Sequence, residues 1–386
     1  MTIHWCGTGL SAIPGLRRLI EAGRPVTVWN RSTHKARAAV GDLTDDIRGF
    51  DREALGAALV PGDVVVSMLP GDWHVALATL CLERGAHFVS SSYISPEMRA
   101  LDARAREAGL CLVNEIGLDP GIDHLMAHHL VADYRASGAV DPGNALSFLS
   151  CCGGVPKEPN AFRYKFSWSP LGVLKALRAP SRSIRNFSEL AVARPWEAIS
   201  RHDAPLPAPE SFEVYPNRDS LPFIAEYRFD PAWQIRDFVR GTLRPDGWSE
   251  AWREIFAEIE TLEGEASEAR LREMSERLWQ EHAYAEGEPD RVVLCVTLRA
   301  ERGGETVWHK TWVMDAWGDA RGTAMARLVS VPVSLAVESV LAREIPAGVS
   351  AAPHDPKLVA RYLAEVERLA QHLHLVDHLR AARDRP

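Results

Sequence analysis

One local pattern constrains this chain more than any other. A short apolar run, Thr2 to Trp5, meets the turn Gly7-Thr8-Gly9, and the segment from Ser11 to Ala22 then has helical spacing. Ile13, Leu16, Leu19 and Ile20 fall on one helix face. Pro14 lies in the first turn, where a missing N–H costs little. Gly23 closes the helix and Val26 to Trp29 reads as a second strand. Strand, glycine turn, helix and strand in this order form the fingerprint of a dinucleotide-binding unit, here with Ala12 in the third glycine position. Gly7 permits the tight turn, and Gly9 lets a pyrophosphate approach the backbone at the helix N-terminus, beside Leu10 and Ser11. A flavodoxin-like turn without a dinucleotide is the competing reading.

The end of the second strand bears on which dinucleotide. An NAD site usually carries Asp or Glu there, to accept from the ribose 2′-hydroxyl. This chain has Asn30-Arg31-Ser32-Thr33. No carboxylate repels a 2′-phosphate, and Arg31 can pair with one. NADP is therefore expected over NAD, unless Arg31 is only a solvated surface residue.

The rest of the first third keeps alternating. Val64 to Leu69, His87 to Ser90 and Leu110 to Asn114 read as buried strands, with helices over Val75 to Arg84 and Pro96 to Ala108. After Gly121 the texture changes. A helix is expected from Ile122 to Tyr134. Strands are expected over Asn144 to Ser150, Phe162 to Trp168, Phe212 to Tyr215 and Val292 to Arg299, and helices over Trp248 to Ala283 and Pro356 to Arg383. The fold class is α/β. A Rossmann-type parallel-sheet domain, 1–121, is completed by the C-terminal segment 345–386. A second α+β substrate and dimerisation domain spans 122–344, with a helical insert about 245–285.

The formal net charge of the 386 residues is -8, which gives no reason to expect nucleic acid or an anionic membrane as partner. The apolar stretch Leu328 to Leu341 is broken by Ser330, Pro332, Ser334, Glu338 and Ser339, and reads as too short and too polar to span a bilayer. No signal-peptide pattern opens the chain. Cys6, Cys81, Cys111, Cys151, Cys152 and Cys295 form no CxxC pair and no zinc spacing, so thiols in a reducing cytoplasm and no metal are expected.

Several segments resemble the saccharopine reductases, the glutamate-forming saccharopine dehydrogenases. They are Asn114-Glu115-Ile116-Gly117-Leu118-Asp119-Pro120-Gly121-Ile122-Asp123-His124-Leu125, Cys152-Gly153-Gly154, Tyr164-Lys165-Phe166-Ser167-Trp168-Ser169, Tyr215-Pro216-Asn217-Arg218-Asp219-Ser220 and Arg240-Gly241-Thr242-Leu243-Arg244. Ser91-Ser92-Tyr93 resembles the family's Thr-Ser-Tyr, and Thr323 to Ala326 is a weaker match. Val155-Pro156-Lys157-Glu158-Pro159 departs from the family's Leu-Pro-Ala-Pro-Glu, and Ser330-Val331-Pro332 from its Gly-Val-Pro.

The resemblance implies an NADP-dependent oxidoreductase that interconverts saccharopine with L-glutamate and 2-aminoadipate 6-semialdehyde. It implies Tyr93 and Asp119 as proton-handling residues. Ser92, Tyr93, Asp119, Arg218, Arg240, Gly241 and Thr242 would hold a polycarboxylate amino acid, because a guanidinium grips a carboxylate with two hydrogen bonds. Leu69, Ser91, Ser92, Leu118, Asp119, Pro120 and Phe166 would join Gly7, Gly9, Leu10, Ser11 and Asn30 to Ser32 around NADP. It also implies a homodimer built through the second domain. Each residue keeps a plainer reading beside this one. Asp119 can be a turn residue before Pro120, Tyr93 and Phe166 packed aromatics, and each arginine an ion-pair residue. A dehydrogenase for another opine-like or carboxylated polyamine amine, and a non-catalytic NADP-binding sensor, stay open as alternatives.

Overall fold

The computed structural model describes residues 1–262, 264 and 266–383. The expected insert and C-terminal segment also include 263, 265 and 384–386, which lie outside the described residues. The chain forms two compact units, one of residues 1–125 with 320–366 and one of 126–319 with 367–386.

The first unit is built on a seven-stranded, wholly parallel sheet. Its strands are β1 (Ile3–Cys6), β2 (Val26–Asn30), β3 (Ile47–Gly49), β4 (Val64–Ser67), β5 (His87–Ser90), β6 (Cys111–Val113) and the late strand Gly348–Ser350. In space the order runs from Gly348–Ser350 through β6, β5, β4, β1 and β2 to β3. The strand order reverses between β1 and β4, and the turn after β1 opens at that reversal, where open α/β sheets bind ligands.

Helix α1 (Ile13–Glu21) buries Gly15, Leu16 and Leu19, and Pro14 lies in its first turn as expected. It packs on the helix Ala324–Leu341, which is 18 residues long and apolar enough to cross a membrane by length and composition, yet 83% buried here. The contact is close because Gly15 has no side chain. Its N–H donates to Ser330 Oγ at 2.8 Å, and Arg18 reaches Glu338 at 2.7 Å. This segment of the unit starts earlier and stops earlier than the 345–386 expected from sequence.

The second unit holds a mixed nine-stranded sheet. Its strands are β7 (Ala145–Pro156), β8 (Ser181–Arg185), β9 (Ser188–Val192), β10 (Ser200–Ala204), β11 (Glu210–Pro216), β12 (Gln234–Pro245), β13 (Asp290–Arg302), β14 (Glu305–Trp317) and, with Gly348–Ser350 counted as β15, β16 (His372–Asp377). β7 and β12 run parallel, while the other pairs along the sheet are antiparallel. The helices Pro170–Arg178, Arg253–Glu260 and Ala266–His282 share a core with Tyr164, Phe166, Tyr215, Trp248 and Trp252.

Three expected elements differ. Pro96 to Ala108 is two short helices, Pro96–Arg99 and Asp102–Glu107, with a turn between them. Phe162 to Trp168 alternates like a strand, but Arg163 takes a left-handed φ of 56° and only Phe166 makes a bridge, to the end of the helix Ala266–His282. The expected helix over Pro356 to Arg383 breaks after Leu369. His372–Asp377 then alternates along β14, whose edge it covers, before a short helix at His378–Arg383.

Candidate active site

The site in the first unit starts at the glycine turn. Gly7 has φ of +103°, and a Cβ there would lie 2.9 Å from the Met68 carbonyl oxygen and 3.2 Å from the Leu69 side chain. Only glycine fits both constraints. A Cβ on Gly9 would meet nothing within 4 Å, so the backbone is open to a ligand on that side. The residue before α1, Ala12, offers no side-chain cap, the Gly15 N–H is taken by Ser330 Oγ, and Leu10 is exposed. The Thr8 hydroxyl is buried without a hydrogen-bond partner among the described residues. A glycine turn that presents its backbone to open space at the start of a helix is what a pyrophosphate needs.

Asn30 ties the two loops of this site together. Its Oδ1 accepts the Thr8 N–H at 3.2 Å, and its Nδ2 donates to the Ser32 carbonyl at 2.9 Å. Ser32 caps the helix α2 (Thr33–Val40) by accepting from the Lys35 N–H. Arg31 is exposed and makes no ion pair or hydrogen bond among the described residues, and exposed His34 and Lys35 follow. The residues present therefore fit a dinucleotide with a 2′-phosphate.

The loops after β5 and β6 supply the second part. Tyr93 Oη donates to Asp119 Oδ1 at 3.2 Å, so the two proton-handling candidates meet. The turn around Asp119 is folded on itself. Gly117 N–H donates to the Pro120 carbonyl at 2.8 Å, and Asp123 N–H to the Leu118 carbonyl at 3.2 Å. A Cβ on Gly121 would lie 2.2 Å from the Gly117 carbonyl oxygen, and one on Gly117 would lie 2.9 Å from Ser91 Cβ. The two loops thus touch at Ser91.

Sequence reading missed the groups that hold this pair. Glu115 donates its N–H to the Ser92 carbonyl at 3.0 Å and accepts the Ile94 N–H at 2.8 Å, so it clamps the chain on both sides of Tyr93. The other Glu115 oxygen meets His124 Nε2 at 3.0 Å, and His124 Nδ1 meets Asp123 at 3.3 Å, all buried. His74 is the other support. Its Nδ1 is 2.9 Å from Ser67 Oγ and its Nε2 is 2.8 Å from Ser92 Oγ. Burial holds its pKa down at about 4. Glu115, Asp123 and His124 stood in the quoted motif, whereas nothing local marked His74. No group of three His, Cys, Asp or Glu among the described residues could hold a metal.

In the second unit, β12 and its neighbours carry the other candidates. Arg240 and Thr242 share one face of β12, and in register beside them on β7 lie Ser150 and Cys152. Arg240 is 2% exposed, and its guanidinium carbon sits 3.9 Å from the Phe223 ring centroid. Its carbonyl accepts the Asn217 N–H at 2.7 Å, which brings the exposed turn of Arg218 to the end of this face. Gly241 lies where a Cβ would come within 2.7 Å of the Val214 side chain. Thr242 hydrogen-bonds Tyr215, whose hydroxyl also accepts from Arg244 at 3.0 Å; burial raises the Tyr215 pKa. Phe166 is 1% exposed and packed edge-on against Tyr164, 4.9 Å between ring centroids, inside the core of this unit.

Comparison with known proteins gives a consistent picture. Residues 117–370 match the saccharopine dehydrogenase C-terminal domain, and residues 7–113 match the saccharopine dehydrogenase NADP-binding domain. The chain is 37% identical over 249 residues to a saccharopine dehydrogenase [NADP(+), L-glutamate-forming] of Pyricularia oryzae, a match covering 63% of this chain and 54% of that protein. The chain thus matches about half the length of that relative. The protein of the same name from Schizosaccharomyces pombe is 27% identical, with 91% of this chain and 93% of the relative covered. Among solved structures, the apo saccharopine dehydrogenase (L-Glu forming) of Saccharomyces cerevisiae superposes with a TM-score of 0.79 at 26% identity, covering 97% of this chain and 99% of that one.

Proposed function

The chain belongs to the saccharopine dehydrogenase family, and from that premise we propose that it interconverts saccharopine with L-glutamate and 2-aminoadipate 6-semialdehyde, using NADP. The observation that carries this reading is the Tyr93–Asp119 hydrogen bond, on loops that follow adjacent parallel strands of a dinucleotide-binding sheet. An NADP-binding sensor has no need of such a pair.

The glycine turn at Gly7 and Gly9 with Arg31 would hold NADP, which would supply or accept the hydride at the substrate carbon beside the bridging nitrogen. The chain's own residues do the rest. Arg218 and Arg240 grip carboxylates, and the substrate's uncharged stem lies along Thr242 and Cys152. Asp119, held by Tyr93, faces the bridging amine and takes its proton as the carbon–nitrogen double bond forms. Water then adds to the imine, and the carbinolamine collapses to aldehyde and amine, with the same carboxyl group returning the proton to the departing nitrogen. In the opposite direction these steps reverse. Glu115, His124 and His74 keep the loops in place, so that little reorganisation accompanies proton transfer.

The reading extends to a homodimer built through the second unit, carried by the family resemblance, and to a reducing cytoplasmic setting, supported by six buried free thiols. A relative acting on another carboxylated secondary amine is the second reading. It is favoured by the departing segment after Gly154, where Lys157 lies 3.7 Å from the Trp317 ring centroid.

The test is NADPH formation from saccharopine, with products identified by mass spectrometry. Glutamate with the semialdehyde supports the reading. Lysine with 2-oxoglutarate would place oxidation on the other side of the nitrogen. Tight NADP binding without turnover of any secondary-amine diacid would leave a sensor. Light scattering tests the dimer.

A further inference from the structure

The second unit contains a cavity of about 290 Å³ that the proposed reaction does not use. Its place follows from strand register. Leu149, Thr297 and Thr311 stand in one row across β7, β13 and β14, and Asp237, Ser147, Arg299 and His309 in a second row across β12, β7, β13 and β14. Arg240, Ser150 and Val296 stand in the row one residue away from Leu149 and Thr297. Successive residues of a strand face opposite sides of the sheet. The cavity therefore lies on the face opposite Arg240, Thr242 and Cys152.

Its lining leaves donors over and acceptors used. Asp237 already accepts from the Asn186 N–H, the Ser147 hydroxyl and Arg236. Asp203 accepts from Ser211. Arg236 and Arg299 share Glu301, just beyond the lining. Arg185 is different. It lines the cavity half-buried, its side chain making no ion pair or hydrogen bond among the described residues, and burial lowers its pKa although the Asp237 carboxylate pulls the other way. A desolvated guanidinium is costly when the nearby carboxylate is already committed to other donors. The lining also holds His309 and His378, whose rings stack at 3.8 Å, and His378 Nε2 meets Thr311 Oγ1 at 2.8 Å. Burial, with His378 and Arg299 nearby, holds the His309 pKa at about 4.

What such a place lacks is a negatively charged acceptor in contact with the Arg185 guanidinium. We propose that this cavity binds a small polyvalent oxyanion, a phosphate or a di- or tricarboxylate, with Arg185 as its principal contact and Arg299 and the His309–His378 pair completing the shell. The volume fits a compact metabolite and excludes a polymer. The site is separate from the substrate face, so an occupant acts beside the reaction and not within it.

The test is calorimetric titration of the full chain, saturated with NADP to fill the dinucleotide site. Inorganic phosphate is the titrant in one arm and citrate in the other. Saturable binding of either anion is expected, and the arm with the higher affinity names the chemistry. Arg185→Gln should weaken it about tenfold or more, the loss of a charge-assisted contact. Arg240→Gln, on the other face, should leave it unchanged. Arg185→Gln should also keep the basal rate of NADPH formation. If that variant fails to fold, His378→Ala serves in its place and should also weaken binding. The proposal falls if neither anion saturates, if Arg185→Gln binds as the unaltered chain does, or if Arg240→Gln abolishes the binding.

Discussion

Gly15 gives the sharpest test of how the first unit is held together. In Gly15→Ala the new Cβ would lie 2.0 Å from the Ser330 carbonyl oxygen and 2.4 Å from its carbon, both backbone atoms of the helix Ala324–Leu341. Ordinary contact begins near 3.4 Å, so the two helices must part by roughly 1.4 Å along that line. A backbone cannot rotate away as a side chain can, which puts the cost at the upper end for overpacking, about 3 kcal/mol. Parting also breaks the hydrogen bond from the Gly15 N–H to Ser330 Oγ, worth about 1 kcal/mol. Alanine returns about 1 kcal/mol through its better helix propensity. The net loss of roughly 3 kcal/mol corresponds to a melting point lower by roughly 6–12 °C. Calorimetry or circular dichroism reads this directly. Ser330→Ala is the control, since it loses the hydrogen bond without any clash and should cost only about 1 kcal/mol. A Gly15→Ala protein that melts at or above the original temperature would refute the close helix contact.

Other expectations follow from the same geometry. Arg31→Ala should weaken NADP about tenfold or more and NAD hardly at all, with stability unchanged because Arg31 has no partner among the described residues; equal losses in titrations with the two cofactors would remove it from the 2′-phosphate site. Asp119→Asn should lower kcat about a hundredfold with little change in KM for saccharopine, whereas Arg240→Lys should act mainly on KM, raising it about tenfold through the lost two-pronged grip; steady-state kinetics of both variants would show the opposite pattern if the roles are wrongly divided. His74 has its pKa lowered from 6.5 to about 4, so between those values the unfolded chain binds a proton that the folded one does not. Its contribution to stability is therefore complete above pH 6.5 and lost as pH falls toward 4, roughly 3 kcal/mol in all. Denaturant melts at pH 7 and 4.5 should show a shallower acid loss in His74→Gln, and an equal loss in both proteins would contradict the assignment.

Local features were the legible ones. Ile3 to Ile13 contains its strand, its turn and its helix start within a few residues, so the dinucleotide turn and its Gly7 can be recognised from the residues alone. The pairing of Tyr93 with Asp119 was half legible, because both follow strands whose adjacency a parallel sheet implies. Supports that depend on distant partners were not. His74 is one histidine at a helix start, and only the folded sheet brings Ser67 and Ser92 to its two nitrogens. Nothing in the sequence marks Gly15, because Ser330 lies 315 residues away. Alternation misled at Phe162 to Trp168, where the aromatic side chains fill a helical core rather than one side of a strand. In His372–Asp377 the opposite happened. A helical run was extended across a segment that the open edge of β14 draws into the sheet.

The first unit is written in two pieces of chain, and that has a consequence during synthesis. β6 emerges early, but its outer neighbour Gly348–Ser350 and the helix over Gly15 come only after the whole run Met126–Asp319. At ordinary ribosomal speed that interval, about 200 residues, lasts some 10–40 s. Throughout it the nascent sheet presents an unpaired edge and an uncovered apolar helix face to its surroundings. Such surfaces invite association between growing chains. A holdase at the ribosome exit, or quick burial of the intervening segment, would then govern the yield of native protein more than its final stability does.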